Sequence, residues 1–485
     1  MNYADSARIK AILTNSGRNY VETIEQANVI IIDTCSVRQK SEDKVTGKLQ
    51  EIPRDKKIWI TWCMIQHNLR NNKIAKAVKD NSASLKIQKG NFIGNVTTLT
   101  PRILWRNNEE METISTLSPL EGGVLYVNHA FNPMFFNINQ SFPNVELFFR
   151  IDDTGLLPLM MQQLWYEVSP DPQLYNEYTG IIPHSTNQLF KENTKTAYVP
   201  ISTWCSQFCA YCIVPYARGL EKNLDPEKVI AEAQHHISNG VEEIVLLGQI
   251  VNKHPQFVDI CKAILQITWL RRLRYTSPYP NFFSPELLEL HENEEKMCPH
   301  IHMPLQSGSN TILQKMFRWY TAEQYKDFVN NIRTLNRPIS ITSDIIIGFS
   351  DESEEDFQKS LELAQDSQFD MIYMGIYSPR PWTLADKKYQ DNISKQTKTE
   401  RRTRLNALLT EISWQNNTTE IWSTREIIIN KITDQYMSGY TDNMKNVIIK
   451  IDQHTINPQD YQVGQFSKVT IIWSEPFKLL AKRAN

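Results

Sequence analysis

From residue 197 to about 377 the chain repeats one pattern: a short apolar run, then a stretch with apolar residues at helical spacing. The runs fall at 197–201 (AYVPI), 243–248 (EIVLLG), 271–276 (RRLRYT), 299–304 (PHIHMP), 339–347 (ISITSDIII) and 370–376 (DMIYMGI), and stretches such as PEKVIAEAQHHISNG and AEQYKDFVNNIRTLN fill the gaps. Strands joined by helices run parallel, because each helix carries the chain back to the start of the sheet. Six such units predict a partial (β/α)6 barrel with its ligand face at the carboxyl ends of the strands. A polar, basic helix around KTKTERRTRLNALLTEI closes this region.

The first ninety residues alternate in the same way. ANVIIIDTC and KKIWITWC are apolar runs that end in Cys35 and Cys63, with a polar helical stretch between them. A parallel α/β sheet would set both cysteines on one edge. The last sixty residues (REIIINKI, NVIIKI, FSKVTIIW) read as short strands of a small β-barrel of OB-like type. The expected domains are 1–94, an insertion and connector over 95–195, a barrel domain over 196–421, and a small β module over 422–485.

Composition narrows the classes. The chain has 485 residues, Lys+Arg 52 against Asp+Glu 54 for a net charge of −2, and a mean hydropathy of −0.43. No run approaches the roughly 18 apolar residues of a membrane span, and the start MNYADSARIK lacks a basic segment followed by an apolar one. The expectation is a cytoplasmic protein with no membrane partner. A near-neutral charge argues against a uniformly basic nucleic-acid binder and leaves room for local patches. Seven cysteines in such a chain are expected to stay reduced.

Three of the seven fall within eight residues: Cys205-Ser-Gln-Phe-Cys209-Ala-Tyr-Cys212, just after the first barrel strand. Three thiolates at this spacing can hold three irons of a 4Fe-4S cluster and leave the fourth open to a small molecule. A zinc site would ask for a fourth ligand, and none stands at a suitable local spacing. Cys261, inside FVDICKAIL, and Cys298, before PHIHMP, read as packing residues. His300 and His302 read as core histidines of a strand.

The CxxxCxxC spacing with an aromatic before the last cysteine resembles the radical SAM enzymes. The continuation Cys212-Ile-Val-Pro-Tyr-Ala-Arg-Gly resembles the methylthiotransferases among them, and Asp33-Thr-Cys35-Ser-Val-Arg38 resembles the NTCSVR segment of the MiaB-like branch, which methylthiolates isopentenyl-adenosine in tRNA. The resemblance covers nearly the whole chain outside 95–145. It implies an amino-terminal methylthiotransferase domain, a radical SAM domain and a carboxyl-terminal TRAM domain. It also implies two 4Fe-4S clusters and S-adenosyl-L-methionine. Cys205, Cys209 and Cys212 would hold the cluster that binds S-adenosylmethionine and yields the 5′-deoxyadenosyl radical, which takes the hydrogen from C2 of adenine. Cys35 and Cys63 match two of the three ligands of the auxiliary, sulfur-supplying cluster. The third would precede Met1-Asn2-Tyr3, so the expectation is that the chain starts shortly after a lost strand and cysteine.

By the same resemblance Gln249, Ser307 and Asp344 border the cofactor, with Gly308 and Gly348 letting backbone approach it. Arg425 and Lys445 of the small β module contact tRNA, with Arg401, Arg402 and Arg404 as further phosphate contacts. The partners are a tRNA substrate and unidentified electron and sulfur donors, and the enzyme is expected to be a monomer. The rival readings are a methylthiotransferase for another substrate, threonylcarbamoyl-adenosine tRNA or a ribosomal protein, and a non-catalytic RNA-binding descendant.

The counts of two residues are unusual. Glycine numbers 16, where an average of about 7% would give roughly 34, and tryptophan numbers 11. Five tryptophans, Trp62, Trp204, Trp269, Trp382 and Trp422, stand where the family pattern typically has glycine; Trp59 and Trp319 fit less well, and Trp105, Trp165, Trp414 and Trp473 are merely compatible. The expectation is a gene that reads UGA as glycine, translated with UGA as tryptophan. The alternative is that these are true aromatic core residues.

Overall fold

A computed structural model describes residues 2–21, 23–34, 47–62, 145–149, Thr154, Leu157, Pro158, Met161, 195–218, 221–381, 383–451 and 460–484. The chain forms two compact units, residues 1–189 with 213–220, and residues 190–212 with 221–485. Among the described residues no helix is long and apolar enough to cross a membrane.

In the first unit, helix Asn2–Asn15 precedes a parallel sheet of β1 (Val29–Thr34), β2 (Lys57–Trp62) and β3 (Val145–Phe149), in that order. The middle strand lies between two neighbours, and Ile58, Trp59 and Ile60 are buried in succession, as in a strand covered on both faces. β1 and β2 pair in register, Thr34 opposite Trp62. The cysteines that follow each strand, Cys35 and Cys63, lie outside the described residues. β3 comes from the stretch read as insertion and connector: NVELFF pairs with β2 as the third strand. The sequence hid it because no helical pattern links it to β2.

The second unit contains the six expected barrel strands: β4 (Thr196–Pro200), β7 (Glu243–Leu247), β8 (Arg272–Tyr275), β9 (His300–His302), β10 (Ser340–Ile347) and β11 (Met371–Ile376). β4-β7-β8 and β9-β10-β11 are parallel sheets. A parallel bridge from Leu273 to Met297, with Cys298 N donating to Leu273 O at 2.8 Å, joins their edges. The result is one parallel wall whose carboxyl ends share a rim. Helices on the outside begin where the sequence supplies caps. Asp225 accepts from Glu227 N ahead of Pro226–Ser238, and Thr321 with Gln324 forms a capping box at Ala322–Arg333. A two-stranded ribbon, β5 (Ser202–Thr203) with β6 (Lys222–Asn223), follows β4.

The carboxyl-terminal strands β12 (Thr424–Ile432), β13 (Tyr436–Thr441), β14 (Asn446–Lys450), β15 (Phe466–Glu475) and β16 (Lys478–Arg483) close into a five-stranded barrel in the order β12-β13-β14-β16-β15. Alternate residues fill it, among them Ile427, Ile429, Val447, Ile449, Val469 and Ile471. At Gly439 a Cβ would collide with the backbone of Ile428 on the next strand, so the closure requires glycine there.

Polar ties fix this barrel to the parallel wall. Buried Glu243 accepts from Tyr440 Oη at 3.1 Å and from Arg274 Nη2 at 3.2 Å. Arg272 Nη2 donates to Glu426 O at 2.5 Å, and the Arg271 guanidinium lies 4.0 Å from the Phe466 ring centroid.

Three tryptophans have left-handed backbone: Trp204 (φ 68°), Trp269 (φ 72°) and Trp422 (φ 71°). A bulky side chain is a rare occupant of that region. Trp269 and Trp422 are also 79% and 73% exposed, so their indoles gain little from burial. Trp59, in contrast, is fully buried in β2 between two isoleucines and fills the core as an aromatic.

Candidate active site

The cysteine loop leaves the carboxyl end of β4, at the rim of the wall. Cys205 and Cys209 are buried and Cys212 is half-buried. The loop is held from several sides: Gln207 N donates to Cys205 Sγ (3.4 Å), Cys212 N to Cys209 O (2.9 Å), Ala210 N to Met316 O (2.9 Å), and Ala385 N to Ala210 O (2.7 Å). Glu221 N donates to Ser206 Oγ at 3.0 Å. Burial pushes the Cys205 thiol up to about 11; a bound metal removes such a proton outright. Among the described residues no three Cys, His, Asp or Glu side chains converge as ligands of a single ion. A cluster takes one thiolate per iron, and three thiols on one short, multiply braced loop supply that donor set.

Arg318 reaches this loop from the turn after helix Asn310–Lys315. Its Nη1 lies 3.6 Å from Cys209 Sγ, Nη2 donates to Pro304 O at 3.1 Å, and Nε donates to Tyr320 Oη at 2.9 Å. The guanidinium carbon sits 4.4 Å from the Tyr279 ring centroid. Tyr279 is in turn clamped by Asn252, whose Nδ2 donates to Tyr279 O (3.0 Å) and whose Oδ1 accepts from Tyr279 N (2.8 Å). The sequence reading missed Arg318, Tyr279 and Asn252. They come from three separate loops, and only the rim of a parallel wall brings them together.

The residues expected to border the cofactor divide. Gln249 is half-buried just beyond the end of β7. Asp344 on β10 pairs with His302 Nε2 at 3.1 Å. Ser307 is buried with its hydroxyl turned inward, accepting from Ser309 N at 3.2 Å. Gly308 and Gly348 are explained by the fold: a Cβ at Gly308 would strike the backbone of Lys359 and Ser360, and Gly348 (φ 71°) lies against the Lys398 side chain. Those glycines admit a neighbouring helix.

Cys261, Cys298, His291 and His300 are packing groups. Burial raises Cys261 and lifts Cys298 to about 11. His300 Nε2 lies 3.0 Å from Thr342 Oγ1, and His291 Nε2 lies 2.6 Å from Tyr275 Oη. Burial lowers His291 to about 3. The unfolded chain takes up this proton near 6.5 and the folded chain does not, so acid favours unfolding below that pH. The stability advantage of wild type over His291→Gln, measured by urea unfolding, should shrink by about 1.4 kcal/mol for each pH unit between 6.5 and the onset of acid denaturation.

The basic residues expected to meet tRNA are mostly engaged inside the protein. Lys445 Nζ bonds Asp370 Oδ1 at 2.7 Å and Asn417 Oδ1 at 2.9 Å, its side chain 9% exposed. Arg425 pairs with Glu420 at 2.6 Å, Arg401 with Glu352 at 2.8 Å, and Arg404 with Glu354 at 2.5 Å. Arg402 is exposed, as are Lys431, Lys450, Lys468, Lys482 and Arg483 on the barrel. Lys445→Met should lower stability by about 3 kcal/mol, because Asp370 is left with a buried charge. The salt dependence of tRNA binding by this variant, measured by filter binding, should stay unchanged.

Comparison with known proteins adds sequence relationships to this geometry. Residues 199–364 match the Radical SAM superfamily, and residues 1–83 match Uncharacterized protein family UPF0004. The tRNA-2-methylthio-N(6)-dimethylallyladenosine synthase of Dictyoglomus thermophilum is 30% identical, over 98% of this chain and 95% of that protein. The chain belongs to this methylthiotransferase family. The proteins of the same name from Natranaerobius thermophilus (29% identical; 94% of this chain, 90% of that one) and Pelotomaculum thermopropionicum (30%; 93% and 90%) are similar over the same extent. The MiaB-like family spans both units, and its Radical SAM match begins just before the cysteine loop and ends in the helix after β10.

Proposed function

We propose that the protein is a radical SAM tRNA methylthiotransferase that adds a methylthio group to C2 of N6-isopentenyl-adenosine at position 37, next to the anticodon. The observation that carries this reading is the Cys205-Cys209-Cys212 loop at the carboxyl end of the first strand of a parallel half-barrel, in a chain similar over nearly its whole length to synthases of that name. Bound at that loop, a 4Fe-4S cluster with S-adenosylmethionine supplies the one-electron chemistry that an unactivated C2–H bond requires. Cys205, Cys209 and Cys212 hold that cluster, and Cys35 and Cys63 supply two of the three protein ligands of an auxiliary one. Gln249 and Asp344, at neighbouring strand ends, border S-adenosylmethionine, while Ser307 steadies the loop beside them. The domains follow the boundaries 1–94, 95–195, 196–421 and 422–485, and the closed five-stranded barrel is a TRAM module. Its exposed Lys431, Lys450, Lys468, Lys482 and Arg483, rather than Arg425 and Lys445, meet tRNA phosphates. The enzyme works as a cytoplasmic monomer, with external electron and sulfur donors.

Anaerobic reconstitution with iron and sulfide tests this. The expected result is about eight irons per chain, the content of two 4Fe-4S clusters, and release of 5′-deoxyadenosine from S-adenosylmethionine under dithionite. Tight tRNA binding with neither iron nor cleavage would instead identify a non-catalytic RNA-binding protein.

A further inference from the structure

Arg318 is a half-buried cation that, among the described residues, has no acidic partner. Its bonds go to one thiol, one carbonyl and one phenol, and its faces meet Tyr279 and Tyr320; among the described residues no carboxylate forms an ion pair with it. A guanidinium in such a place is costly unless an anion answers it. Among its described partners, the Cys209 sulfur is the one that a bound metal would make anionic. Tyr320 fixes the guanidinium by accepting from Nε while its own hydroxyl donates to Leu305 O at 2.8 Å, and Tyr279 covers one face. The fork is thus oriented toward the cysteine loop before anything binds there.

We propose that Arg318 is a positioning residue for the cluster of the Cys205 loop, its N–H group donating to the Cys209 thiolate and its charge favouring the reduced cluster. The inference rests on the proposed function. Hydrogen bonds and positive charge near cluster sulfur raise the reduction potential, which eases the electron transfer on which cleavage of S-adenosylmethionine depends.

The test is a redox titration of reconstituted wild type, Arg318→Gln and Arg318→Lys, following the EPR signal that changes on addition of S-adenosylmethionine. Arg318→Gln is expected to retain iron and to be reduced about tenfold less at a fixed ambient potential, equal to a 59 mV more negative midpoint for a one-electron couple. Arg318→Lys, which keeps the charge and loses the fork, should fall between. Equal midpoints in all three proteins would overturn the proposal. If Arg318→Gln holds no cluster, Arg318→Lys decides: a lowered midpoint supports the proposal and a wild-type midpoint overturns it. A wild-type protein that takes up no iron defeats the functional reading itself, which keeps the two failures apart.

A second inference stands on different observations. Of the five tryptophans singled out at glycine-like positions, four have a described backbone: Trp62 is extended at the end of β2, and Trp204, Trp269 and Trp422 are left-handed. Each of the last three sits at a turn. Trp269 follows helix Phe257–Leu265, where Leu270 N turns back to Ile267 O at 3.4 Å; Trp422 lies just before β12, its N–H bonded to Ile471 O at 2.8 Å; Trp204 links β5 to Cys205. Glycine is the default residue for such backbone. Together with 16 glycines in 485 residues, the geometry points to glycine as the residue that the organism's own ribosomes place at 204, 269 and 422, through UGA codons read as glycine. Sequencing the gene tests it. UGA at these three codons is the expected result, with glycine-containing peptides in the native protein; UGG at any of the three would overturn the inference there.

Discussion

Replacing Cys205, Cys209 or Cys212 by Ala should abolish release of 5′-deoxyadenosine and lower bound iron from about eight to about four atoms per chain, the content of one remaining 4Fe-4S cluster. Each of these thiols is one corner of the three-point attachment of the S-adenosylmethionine-binding cluster. Cys261→Ala and Cys298→Ala provide the contrast. Both thiols are buried in packing positions, one in helix Phe257–Leu265 and one beside β9. Their loss should cost about 1 kcal/mol of stability and leave iron and cleavage unchanged. Iron assay beside a 5′-deoxyadenosine time course separates the two groups, and iron loss in the Cys298 variant would mean that the ligand set has been misassigned.

The second large effect concerns stability. The left-handed backbone costs a residue with a Cβ about 1–2 kcal/mol; the exposed indoles of Trp269 and Trp422 recover little of it, while that of Trp204 is half-buried. Glycine gives back roughly 0.5–1 kcal/mol through greater freedom in the unfolded chain. The triple variant Trp204→Gly, Trp269→Gly, Trp422→Gly should therefore be more stable than the tryptophan-bearing chain by about 1–3 kcal/mol. The expected sign is unusual, since removal of three large aromatics ordinarily destabilises. Trp59→Gly should do the ordinary thing and lower stability by at least about 3 kcal/mol, because its indole is fully buried in β2. Guanidinium unfolding midpoints decide both.

The barrel was legible because its signal is local. Six apolar runs separated by helical patterns lie within one or two residues of the observed strands β4, β7, β8, β9, β10 and β11. The small closed barrel was legible for the same reason, from alternating residues such as Ile427, Ile429, Val447 and Ile449. β3 was not, since a parallel partner joined through a long stretch leaves no periodic trace. The cysteine loop carried its own spacing, so the candidate site could be placed before its surroundings were known. Arg318 could not be found that way: an arginine in MFRWY looks like any surface residue until the rim places it 3.6 Å from Cys209. Lys445 shows the opposite limit. Its charge suggested a phosphate contact, and only the packing of β13 and β14 beside the wall shows that charge committed to Asp370. Charge is visible in a sequence, but the partner that neutralises it is a property of the fold.

The central claim is the reaction, and the nucleosides of tRNA report it directly. In a bacterial strain lacking its own methylthiotransferase, expression of this protein should convert N6-isopentenyl-adenosine to its 2-methylthio derivative in digested tRNA analysed by mass spectrometry, and the Cys209→Ala variant should leave the precursor untouched. Unmodified isopentenyl-adenosine in a strain whose recovered protein carries both clusters and cleaves S-adenosylmethionine would contradict the account and assign the enzyme to another substrate.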